Sequence, residues 1–182
     1  MTLAFHNAVT RAILSAETGT IHARNITVKA DSVTFTEAGV LSLAAGAVGV
    51  ALVVLYQDVQ SVTDAFIYLD GGSLTATGDL TLNALGCNQI ITISAAAAGG
   101  AVGATASAAA SKLRGTIRAL VSGSGTFNVG GTANITARDS GDSILTVNSA
   151  GIAAGIGGVN LSAAVALQNT TVEAGVKAAS DR

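Results

Sequence analysis

The chain has no proline, no tryptophan, one cysteine and one methionine, and charged residues fill only 11% of its positions. Each shortage excludes something. Without proline or a glycine at every third position, a collagen-type triple helix is out. A single cysteine, Cys87, builds no internal disulfide, and it reads as a small residue of a turn or core rather than a reactive thiol. Nine Lys+Arg against eleven Asp+Glu form no basic cluster, and aromatics make up 3%, so nucleic acid is not an expected partner. Few charges do not mean disorder. The chain is rich in Val, Ile and Leu with a mean hydropathy of +0.57, the reverse of a disordered composition. With so few aromatics, the interior must be built from small and branched side chains, which suits a narrow core.

What is abundant is alanine, together with 22 glycines, and both recur in a tandem pattern. Four related segments occupy residues 3–14 (LAFHNAVTRAIL), 54–67 (VLYQDVQSVTDAFI), 109–121 (AASKLRGTIRALV) and 165–176 (VALQNTTVEAGV). They align on Ala12, Ala65, Ala119 and Ala174, at spacings of 53, 54 and 55 residues. Short alternating strands follow: TIHA at 20–23, SLTA at 73–76 and TFNV at 126–129, then ITVKA at 26–30, LTLNA at 80–84 and ANITA at 133–137. Period-two alternation puts Ile26, Val28 and Ala30 on one face and Thr27 and Lys29 on the other. A third strand is read at SVTFT (32–36), IITIS (90–94) and ILTVNS (144–149), taken as equivalents. Gly, Asp, Asn and Ser between strands supply turns.

Each repeat closes on an Ala/Gly block, at 41–56, 94–111 and 149–166. The uncharged stretch Val40 to Tyr56 could be scored alone as a membrane helix, but its counterpart in the second repeat is nearly all Ala, Gly, Ser and Thr, too weakly apolar to hold in lipid. Repeated glycines also oppose a helix. The blocks therefore read as strands. The expected fold is all-β, a parallel β-solenoid of about three repeats, with phases 12–64, 65–118 and 119–173 in one segment spanning 1–182. At about 18 to 27 residues per coil, each repeat would make two or three coils, giving about eight coils and a rod on the order of 40 Å with aliphatic interior rows throughout. Proline is absent because a central strand cannot spare a ladder donor. The first residues carry no basic and apolar leader, and the array has no polar caps, so the chain reads as an internal piece of a longer protein.

Chemistry-bearing motifs are sparse, and no catalytic residue, metal ligand or cofactor site is assigned. His6 and His22 fall at different repeat phases and read as solvent-facing strand residues. GIGGVN at 155–160 lacks the last glycine of a dinucleotide fingerprint, and no P-loop or GxSxG elbow occurs. Asp70, Asp79, Asp139 and Asp142 read as turn residues rather than a calcium site. A threonine-based ice-binding face around VTFT (33–36) is broken in the other repeats. Sequons at Asn25, Asn134, Asn160 and Asn169 read as ordinary solvent-facing positions.

The Ala/Gly block AAGAVGVALVV, the segment ALQNTTVEAGV and the strand GDLTLNA together resemble the passenger repeats of filamentous adhesins and haemagglutinins, nearest to the fusobacterial leukotoxin-type filamentous adhesins. The resemblance implies a right-handed β-helix on a protein exported by type V secretion, at or shed from a Gram-negative surface, with a role in cell adhesion and virulence. Its expected partners are a host or neighbouring-cell surface protein or glycan, plus adjacent coils of the same chain stacked end to end; membrane contact is not expected. The alternatives are a polysaccharide lyase or hydrolase on the same scaffold, with Asp139 and Asp142 as its carboxylates, and a membrane-active toxin module using Val40 to Tyr56.

Overall fold

A computed structural model describes residues 1–178. In chain order the strands are β1 (Thr2–Ala16), β2 (Thr20–Ala23), β3 (Ile26–Ala45), β4 (Val48–Leu69), β5 (Ser73–Ala76), β6 (Leu80–Gly99), β7 (Val102–Gly123), β8 (Thr126–Val129), β9 (Ala133–Asp139), β10 (Ile144–Ala154) and β11 (Gly157–Ala178). They form three parallel sheets: a long one ordered β1-β4-β7-β11, a second long one in which β6 lies between β3 and the pair β9 and β10, and a short one ordered β2-β5-β8. Successive strands of a sheet lie one repeat apart, so the chain is a parallel β-solenoid, as expected. The four aligned alanines share one column: Ala12 pairs with Ala65, Ala65 with Ala119, and Ala119 with Ala174. Both central members are wholly buried. The rows TIHA, SLTA and TFNV also pair residue for residue, as do ITVKA, LTLNA and ANITA.

The coil is larger than the sequence arithmetic put it. One repeat makes one coil, not two or three, because the third predicted strand is not separate: Ala30 faces in, Asp31 out and Ser32 in, so the alternation runs straight through the Asp-Ser pair. ITVKA, SVTFT and the first five residues of the Ala/Gly block thus fuse into the 20-residue strand β3. The stack has four rungs in the first sheet, a height of roughly 15 Å rather than 40 Å, while a 22-residue strand runs about 70 Å across it. Register is corrected too. Thr36, not Ser32, pairs with Ile90, and Leu145 rather than Ile144 joins that column. Two extra residues cause the last change: between Asp139 and Ile144 the offset to β6 grows from 53 to 55, taken up by a turn in which Ser143 Oγ donates to Asp139 and accepts from the Asn88 amide.

The two long sheets face each other and converge at a sharp corner. At their wide end the short sheet closes the coil around Ile67, Leu74, Leu80, Leu82 and Ile117. Towards the corner the interior rows are not all aliphatic, contrary to expectation. Gln57, Ser61, Thr92, Ser94, Thr105, Ser107 and Ser111 are buried there. Most of them bond across the narrow space: Thr92 Oγ1 donates to Gln57 Oε1, the hydroxyls of Ser94 and Ser107 lie 2.8 Å apart, and Thr34 lies 3.4 Å from Ser61, whereas Thr105 donates to Asn160 of the next coil and Ser111 Oγ has no partner among the described residues. A hydroxyl that finds a partner on the facing sheet avoids the cost of an unmet buried polar group.

At the corner itself the same glycine recurs as Gly46, Gly100 and Gly155. A Cβ on Gly100 would lie 1.9 Å from the Gly46 carbonyl oxygen of the neighbouring coil, and one on Gly155 would lie 2.4 Å from that of Gly100. Coils spaced about 4.8 Å apart leave no room there for a side chain. The Ala/Gly blocks are therefore two strands hinged at a glycine, and no described helix is long and apolar enough to cross a membrane.

Candidate functional site on the outer face of the long sheet

The residues singled out on the sequence do not converge. His6 and His22 are both exposed, on different sheets, although His6 shares its column with inward-facing Val59. Cys87 sits within β6 on its outward face, half-buried, not in a turn or the core. Asp79 links three coils: its amide donates to Asn25 Oδ1 at 2.9 Å, and its Oδ1 accepts the Thr132 amide at 2.8 Å. Asp70 accepts from Ser124, and Asp139 from Ser143. Thr34 of VTFT points into the coil, leaving Val33 and Phe35 outside. All four sequon asparagines, Asn25, Asn134, Asn160 and Asn169, are exposed, although Asn160, in register with inward-facing Thr105 on the end coil, donates to the Gly151 carbonyl and accepts from Thr105. Among the described residues no three His, Cys, Asp or Glu side chains are grouped to hold a metal ion.

Polar and aromatic side chains gather instead on the outer face of the long sheet, over its half nearer the short sheet. Four of the six aromatic residues lie there: Phe5, Tyr56, Phe66 and Tyr68. Register builds the cluster, because residues one repeat apart stand side by side about 4.8 Å apart. Arg11, Asp64, Arg118 and Glu173 form one column of alternating sign. Asp64 accepts from Arg11 Nε at 3.1 Å and from Arg118 Nε and Nη2 at 2.9 and 3.0 Å, and the two guanidinium groups cover it completely. The hydrogen bond to Asp64 holds Arg118 above the ordinary guanidinium range; burial opposes this, and the charges of Asp64 and Glu173 add to it. The Arg118 guanidinium also lies 5.2 Å from the centre of the Phe66 ring, a cation–π distance.

Ten residues before Phe66, towards the corner, Tyr56 meets Phe5 edge to face, with ring centres 6.4 Å apart. Beside them Arg114 Nη2 bridges both carboxylate oxygens of Asp58, at 3.0 and 2.9 Å. Phe5, His6, Asn7, Asp58, Gln60 and Arg114 line an open concavity of about 240 Å³. A second, of about 400 Å³, is lined by Ile13, Ser15, Phe66, Tyr68 and Ser122. Ring faces, amides, a carboxylate and a guanidinium around shallow concavities on a rigid sheet are groups that hold a polar ligand by stacking and bidentate hydrogen bonds. This face had a signal in the sequence: Arg11, Asp64, Arg118 and Glu173 each immediately precede one of the four aligned alanines.

Compared with protein-family models, curated proteins and solved structures, the chain matches none.

Proposed function

We propose that the chain is a structural and adhesive segment of a large exported surface filamentous adhesin, standing outside a Gram-negative cell and presenting its broad outer faces to a host or neighbouring-cell protein or glycan. The observation that carries this reading is the continuous register of the first long sheet, from β1 through β4 and β7 to β11. One column rule places alanine on alanine and cation on anion from β1 to β11, a design that extends by repetition and keeps its faces flat. Such a scaffold supplies rigidity, and the aromatic and polar cluster supplies a surface with binding chemistry. The likeness of the repeats to filamentous adhesin passengers supports the same location.

Location is tested by labelling intact cells with an antibody raised against residues 1–178. Surface labelling is expected; labelling only after permeabilisation overturns the proposal. For adhesion, Tyr56→Ala and Arg114→Ala are each expected to weaken binding of the purified segment to its cell or glycan target by about tenfold, the effect of losing a stacking or bidentate contact. Asn134→Ala, on the other long sheet, should leave that binding unchanged. Equal binding by all three variants would remove the cluster from the adhesive role.

A further inference from the structure

Near the glycine corner the usual arrangement of a strand is inverted. In β7, Thr105 and Ser107 point inward while Ala104, Ala106 and Ala108 point out. No charged residue occurs between Gly39 and Gln57, between Gln89 and Ser111, or between Ser143 and Val172. Both outer faces beside the corner are thus apolar, and the charges of both signs stand back from them. A contiguous apolar surface of this kind on an otherwise polar molecule marks an interaction site.

Its relief narrows the occupant. Register sets large, small and large side chains in successive coils: Leu52, Ala106 and Leu161 on the first sheet, and Leu43, Ala97 and Ile152 on the second. The leucines of the first column are 67% and 70% exposed. Between such ridges the alanine row is a trough, and each sheet carries one: a concavity of about 90 Å³ over Ala106 and Ala108, and one of about 430 Å³ over Ala97 and Ala98. Trough width and ridge spacing are both multiples of the same coil height.

We propose that this edge packs against the same edge of a second copy of the chain, side by side, with the Leu52 ridge of each copy seated in the Ala106 trough of the other. A ridge and a trough cut to one period fit each other, whereas a fluid lipid surface has no use for a trough, and rows of alanine and glycine transfer weakly into it. The same surface patch meets itself, as a two-fold interface requires. Area sets the strength. Seating ridge in trough overlaps two coils, and two coils by about ten strand residues give roughly 300 Å² per copy, or about 600 Å² in total, below the roughly 1,200 Å² of a stable pair. A segment of this length therefore pairs weakly and reversibly, and every further coil of the same pattern adds to the contact.

Sedimentation equilibrium from about 10 µM to about 1 mM tests this, a range matched to weak association. The expected result is a mass that rises with concentration towards a dimer. The double variant Ala106→Leu/Ala108→Leu fills the trough while adding apolar surface, and it should abolish the rise. Leu52→Ala lowers the ridge and should weaken association about tenfold, a second reading that stands if the filled variant misfolds by circular dichroism. The proposal is overturned if the natural sequence stays monomeric throughout, if the trough-filled variant folds and associates as well or better, or if phosphatidylcholine vesicles float the natural sequence.

Discussion

Gly100→Ala is expected to destabilise the protein by at least about 3 kcal/mol, a loss of roughly 6–12 °C in midpoint temperature, while Gly99→Ala changes it by less than about 1 kcal/mol. The two glycines are neighbours in sequence but differ in backbone and surroundings: Gly100 has a φ of 156°, which residues with a side chain rarely adopt, and Gly99 does not. A methyl group on Gly99 meets nothing within 4 Å. On Gly100 it would press into the Gly46 carbonyl at 1.9 Å and the Ala47 carbonyl at 3.1 Å, both backbone atoms of the next coil. Backbone cannot rotate aside as a long side chain can, so relief requires the coils to separate at the corner. That separation breaks ladder contacts there, including the Gly46 amide to Gly99 carbonyl and the Val102 amide to Ala47 carbonyl. Thermal unfolding followed by circular dichroism of the two variants decides the matter, and equal midpoints would refute the account of the corner.

The second large effect is expected at Asp64. Asp64→Ala should cost about 2–3 kcal/mol, because it removes three charge-assisted hydrogen bonds and leaves Arg11 and Arg118 side by side without their shared anion. The figure lies below that for a fully buried ion pair because the Arg11 side chain is 54% exposed and water reaches its guanidinium. Asp64→Asn keeps the shape and one acceptor, so its cost should fall between wild type and alanine. In a double-mutant cycle with Arg118→Ala, a coupling of about 1–2 kcal/mol is expected from urea midpoints. A coupling near zero would mean that Phe66, not Asp64, positions Arg118. By contrast Asp58→Ala, whose partner Arg114 is half-exposed, should cost no more than about 1 kcal/mol.

Much of the fold was legible because repetition makes register visible. Once Ala12, Ala65, Ala119 and Ala174 align, parallel pairing follows, and the rows built on ITVKA and TIHA fall into place. Reading failed where composition stops discriminating between phases. In a run such as SAAAAGGAV every shift looks alike, so the strand at 90–94 was placed against the wrong residues of the first repeat. The coil size is not visible because ITVKA and SVTFT read as two strands, whereas Asp31 between them is an outward residue of one continuing strand. The polar interior was hidden for a physical reason. Hydropathy rules put alanine in and serine out, but in a space one layer of side chains wide, paired hydroxyls from facing sheets satisfy each other, and their outward neighbours are left as alanines. The outer-face cluster was within reach, since its charges occupy the residue before each aligned alanine. Seeing it required reading columns across repeats rather than motifs along the chain.

One repeat per coil has a mechanical meaning. A coil of 54 residues adds about 4.8 Å to the stack when folded, yet the same residues drawn out straight reach about 180 Å. Under tension each coil that peels away releases nearly forty times the length it contributed, while those behind it keep their ladders. A stack of this kind gives ground in steps instead of snapping, with its slack held in the width of the sheets.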